Sequence, residues 1–154
     1  MHRFPLLILL MLALSNCTPT PAPMKIHALR LLPGQDLKQE IQAYVERNGI
    51  EAGFVQTCVG SLTDWHLRFA NAPAGTTGTG HFEIVSLVGL VSTHGTHLHV
   101  SVSDSLGRVT GGHLLDGNVV YTTAEIVIGE SLDHVFQRAN DGSTPYKELR
   151  VDPR

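Results

Sequence analysis

Three of the nine histidines in the sequence fall within one short stretch: His97 and His99 in His97-Leu98-His99-Val100-Ser101, and His113 after Gly111-Gly112. Side chains two apart on a strand point to one face, so His97 and His99 share a face if this segment is extended. His113 joins them only if the intervening turn sets the right register. Asp104-Ser105-Leu106-Gly107 suits a type I turn with Asp first and glycine in the left-handed position. That three-residue loop pairs Asp104 with Arg108 and therefore His99 with His113. A two- or four-residue loop would instead oppose Leu98 to His113 and send the third imidazole to the other face. Three neutral imidazoles on one face suit a borderline divalent ion, zinc first among them, with a fourth position open to water or substrate. The competing reading is a polar, solvated sheet face in which the histidines bond to each other and to Ser101 and Thr110. Gly111 and Gly112 leave room beside His113 for a metal or a neighbouring chain.

Those histidines need a sheet to hold them. Ile26 to Leu32 reads as a first strand, stopped by Pro33-Gly34. Leu37, Ile41, Tyr44 and Val45 then recur at helical spacing, with Asp36 at the start and Gly49 as terminator, which predicts one amphipathic helix over 35–48. The remainder reads as strands: 54–62, 65–70, 82–91, 97–103, 108–115, 119–128 and a last one near 135–138, with a loop over 71–80. The expectation is a single α+β domain over 24–154, with a mostly antiparallel sheet of about seven strands packed on one main helix. A lone helix cannot cover both faces of such a sheet, so the uncovered apolar face predicts self-association.

The first 16 residues carry Arg3 and then an apolar run from Leu6 to Leu14, the layout of a secretory signal and too short to span a bilayer. Leu14-Ser15-Asn16-Cys17 resembles a bacterial lipoprotein box, with Asn16 where Gly, Ala or Ser is usual. This resemblance implies lipidation of Cys17, a Pro/Thr tether over 17–23 and a domain held in the cell envelope, facing the periplasm, with the membrane as a partner through the anchor. If translation instead starts at Met24, the protein is cytoplasmic. Cys58, flanked by Val55, Val59 and Leu62, reads as a small buried hydrophobe.

Charge bears on which partners are available. The chain of 154 residues has a formal net charge of −3, and removal of residues 1–16 takes Arg3 and leaves −4. Its basic residues are dispersed, so little affinity for a polyphosphate backbone is available from counterion release. Glu83 and Glu125 sit among apolar neighbours on expected strands. Each either faces outward or is held by a partner such as Arg108 or a histidine, and either could act as a general base beside a metal-bound water. His94 and His134 are expected to be exposed.

Four segments taken together resemble the plants-and-prokaryotes-conserved (PPC) domain: Gly80-His81-Phe82-Glu83-Ile84-Val85-Ser86-Leu87, His97-Leu98-His99-Val100-Ser101, Gly107-Arg108-Val109-Thr110-Gly111-Gly112-His113, and Thr122-Thr123-Ala124-Glu125-Ile126. The resemblance runs from about Met24 to the C-terminus. It implies a homotrimeric α+β domain and maps the family's histidine elements onto His97, His99 and His113. It also brings a DNA-binding label from plant proteins in which the domain follows an AT-hook, but the Arg-Gly-Arg-Pro core of that hook is absent from this sequence. The reading that results is an envelope-anchored, homotrimeric domain that binds a divalent metal, zinc by preference, and serves as a module for an unidentified small ligand or protein. The alternatives are a metal-dependent enzyme and, if Met24 is the start, a DNA-binding regulator.

Overall fold

The computed structural model describes residues 24–154; the signal, lipidation and tether expectations lie outside the described residues. Eight strands and one helix follow in the order β1 (Met24–Leu31), α1 (Leu37–Asn48), β2 (Gly53–Arg68), β3 (Thr76–Ser92), β4 (Gly95–Ser103), β5 (Val109–Leu114), β6 (Val119–Ser131), β7 (His134–Ala139) and β8 (Glu148–Pro153).

The helix forms where its periodicity predicted. Asp36, at the start of the helix, is its N-cap: its carboxylate accepts from Gln39 N at 2.9 Å and also from Gly117 N. Gly49 ends the helix in the left-handed conformation, with φ 61°. Leu37, Ile41 and Val45 are fully buried from this helix, against Leu62, Leu67, Val91, Leu98, Ile126 and Ile128 of the sheet.

Strands β1 to β6 form one antiparallel sheet in the order β1-β6-β2-β3-β4-β5. The sheet curls until the far end of β2 also pairs with β5, Leu67 opposite Leu114 and Arg68 opposite His113. Gly112 allows this closure, since a Cβ there would stand 2.8 Å from the Arg68 carbonyl oxygen. Strand β2 is continuous where two strands were expected. A bulge between Leu62 and Asp64 lets one long strand bend through the stretch that reads as a break in the pattern. The expected loop over 71–80 is partly strand, because Thr76 to Thr79 pair with Leu67 to Asp64. Strands β7 and β8 form a separate two-stranded sheet, Val135 opposite Asp152 and Phe136 opposite Val151. The hairpin is fixed to the main body: Phe136 N donates to Glu51 O at 2.8 Å, and Ser92 Oγ donates to Phe136 O at 2.8 Å.

Candidate metal centre

The turn between β4 and β5 has the expected chemistry. Asp104 N donates to Arg108 O and Gly107 N to Asp104 O, with Gly107 at φ 76°. The Asp104 carboxylate accepts from Leu106 N, Arg108 N and Arg108 Nε. These bonds hold the Asp104 carboxyl below its ordinary range, the Arg108 backbone bond first among the causes. The resulting register places His99 opposite His113, Ser101 opposite Gly111 and Ser103 opposite Val109.

His97, His99 and His113 therefore converge. One ring nitrogen from each lies within 4.8 Å of the others, and ring centroids are 5.1 to 5.5 Å apart. His97 Nε2 and His99 Nε2 are 3.3 Å apart. This matches the edge between two ligands of a tetrahedral ion bound at about 2.05 Å, which is about 3.3 Å. His113 Nδ1 is buried with no hydrogen-bond partner among the described residues. A metal or ligand would relieve such an orphan.

Two of the imidazoles, His97 and His113, are held toward the neutral form. Burial pushes the His113 pKa down from 6.5 to about 4, helped by His97, Arg68 and His99. His97 is lowered first by burial and then by Arg138, with Glu148 opposing. Neutral imidazole is the form that ligates.

Glu83 and Glu125 are both outward-facing and do not join the triad. Glu83 stands opposite Ser103, four residues along β4 from His99, or about 13 Å at the rise of a strand. Glu125 lies between Val59 and Arg30, three strand spacings from β4, or about 14 Å along the sheet. Arg108 holds neither of them; its partner is Asp104. The buried carboxylate is instead Glu130, 2.9 Å from His27 Nε2, with both side chains about 95% buried. No motif around Glu130 set it apart, since its burial depends on β1 pairing with β6. His94 is exposed as expected, whereas His134 is half-buried, 2.7 Å from Ser131 Oγ. Cys58 is buried, which pushes its thiol up to about 12.

A cavity of about 380 Å³ opens beside His97 and His113. Its other walls are Arg68 from β2, His94 from the β3–β4 turn, Gly95 and Thr96 from β4, and Arg138, Tyr146, Lys147 and Glu148 from the C-terminal hairpin. No sequence pattern pointed to these residues, because Arg68 and Lys147 are 79 positions apart and meet only through the curl of the sheet and the folding back of β7 and β8.

The Plants and Prokaryotes Conserved (PCC) domain family matches residues 19–132. A curated relative, the Bifunctional protein GlmU of a Synechococcus strain, is 43% identical over 137 residues, 87% of this chain but 22% of that protein. The chain thus spans about a fifth of the length of the curated relatives it matches. A hypothetical protein from Salmonella enterica has the same fold with a TM-score of 0.85 and 41% identity, covering 88% of this chain and 98% of that one. A metal-containing protein from Archaeoglobus fulgidus follows with a TM-score of 0.73 and 26% identity, covering 82% and 93%. Two further structures, provisionally named as DNA-binding, are 22% and 19% identical and show the fold alone.

Proposed function

Since the chain belongs to the plants-and-prokaryotes-conserved domain family, we propose that it is a homotrimeric, envelope-anchored domain that holds a divalent ion, zinc by preference, on His97, His99 and His113. In this reading it works as a binding module for a small ligand or a protein. The observation that carries it is the convergence of three imidazoles with a matching 3.3 Å edge and one orphaned ring nitrogen. The metal-containing relative from Archaeoglobus fulgidus supports it. So does the occurrence of the domain as about a fifth of a larger bifunctional protein. When bound, zinc would supply a Lewis acid and an acidified water; the cavity beside His97 and His113 would give a ligand access to it.

Trimer formation is supported by the outward sheet surface. Val59, Val85 and Val88 are each more than half exposed there, and Val88 pairs with His99. Light scattering of the purified domain is expected to give a trimer, and a monomer would overturn this part. Anchoring rests on Leu14-Ser15-Asn16-Cys17; intact mass of the native protein is expected to show an acylated chain beginning at Cys17, against an unmodified chain beginning at Met24.

Enzymatic use of the ion is a second reading, favoured by one observation: Glu148 lines the cavity beside His97 and His113. A carboxylate in that position could act as a general base, a role that Glu83 and Glu125 are too distant to play within one subunit. Metal-dependent hydrolysis abolished by Glu148→Gln, with zinc content unchanged, would favour this reading. Binding to DNA is disfavoured by the acidic net charge. Salt-sensitive retardation of an AT-rich duplex at micromolar protein would restore it.

A further inference from the structure

The cavity beside the triad has an electrostatic character that metal binding does not explain. Three cationic side chains line it, Arg68, Arg138 and Lys147, against one carboxylate, Glu148. In a chain of negative net charge this is a local reversal of sign. Among the described residues none of the three cations has a carboxylate within 4 Å. Glu148 is itself engaged by the Thr144 hydroxyl. Arg68 and Arg138 are half-buried beside one partly open space, where their like charges repel unless something of opposite charge neutralises them.

The cavity is also built rather than incidental. Arg68 comes from the end of β2 that pairs with β5, directly opposite His113. Its guanidinium sits over the Tyr146 ring at 5.6 Å, which fixes its direction. Arg138 comes from β7 and Lys147 from the segment just before β8, in a hairpin held to the body through Phe136, Ser92 and Glu51. This hairpin begins at His134, beyond the residues matched by the family.

We propose that this cavity binds a small molecule carrying an oxyanion, a phosphate or a carboxylate, clamped by Arg68 and Arg138 with Lys147 at its mouth, so that the rest of the molecule reaches the histidine triad. Arginine suits the task because its planar fork can give two parallel bonds to such a group. The cavity has room for a molecule of metabolite size but not for a folded partner. The proposal deepens the binding-module reading by naming the ligand's chemistry, yet it does not depend on the ion, since neither arginine is a metal ligand.

Calorimetric titration of the full chain tests it, with inorganic phosphate and succinate as separate probes. Each is titrated into zinc-loaded protein and into metal-free protein dialysed clear of chelator, in low-chloride buffer. At least one probe is expected to bind saturably at one site per chain, and the tighter of the two identifies the headgroup. Arg138→Gln and Lys147→Ala should weaken that binding, the former by tenfold or more, while zinc content stays unchanged. Arg68→Gln should weaken it as well, and retention of the wild-type melting temperature would show that the hairpin remains seated. Absence of saturable binding by either anion, or binding unaffected by Arg138→Gln, would overturn the proposal. Phosphate or succinate binding in a protein that takes up no zinc would sink the metal reading and leave this one standing; the converse result would do the opposite.

Discussion

His99 stands opposite His113 across the β4–β5 pair, ring planes at 88° and centroids 5.5 Å apart. A shift of one residue would put Leu98 opposite His113 and disperse the triad, because side chains alternate faces along a strand. The turn that prevents this is held largely by one side chain, Asp104, which accepts three bonds from Leu106 and Arg108. The histidine triad therefore depends on a residue that is not part of it.

Replacing Asp104 with Ala is expected to weaken zinc affinity by about tenfold, the lower range for residues that orient ligands without touching the ion. Competition with a chromogenic chelator measures this. Unchanged affinity would mean that the register is fixed elsewhere, through Gly112 and the β2–β5 closure.

Acid should destabilise the metal-free protein through His113. Its folded pKa of about 4 lies below the unfolded value of 6.5, so between these values the unfolded state binds more protons. The contribution is full above about pH 6.5 and lost as pH falls toward 4. Urea midpoints of chelator-treated protein should fall over that window, and His113→Ala should flatten the slope. An equal slope in the two proteins would assign the acid sensitivity to other groups.

Cys58 should be inert in the folded state, since its thiol is pushed up to about 12 by burial. A thiol-reactive disulfide reagent is expected to label it only after denaturation. Rapid labelling of the native protein at pH 7.5 would contradict its placement in the core.

Ile41 is fully buried where the helix meets the sheet. Its replacement by Ala should cost about 2–5 kcal/mol by chemical denaturation. A loss below about 1 kcal/mol would show that the helix contributes little to the core.

Much of this was legible in local sequence. The helix announced itself through Leu37, Ile41 and Val45, and Asp104 with Gly107 specified the turn that brings His113 to His99. What local pattern could not supply was set by distant pairings. Thr63 lies in a bulge that joins two apparent strands, Glu130 is buried because β1 covers β6, and Arg68 reaches Arg138 and Lys147 through sheet curvature. Strand β8 escaped notice because Glu148 to Pro153 is half charged, and only β7 beside it makes it a strand. For Glu83 and Glu125 the apolar neighbours left two placements open, outward or held by a partner, and strand alternation turns both outward.

Metal analysis of protein purified without a histidine tag tests the central claim most directly. Wild type is expected to carry about one zinc or similar divalent ion per chain, and His99→Ala to carry almost none while keeping its fold by circular dichroism. Equal metal content in the two proteins, or no metal in wild type after growth with added zinc, would contradict a metal centre built from His97, His99 and His113.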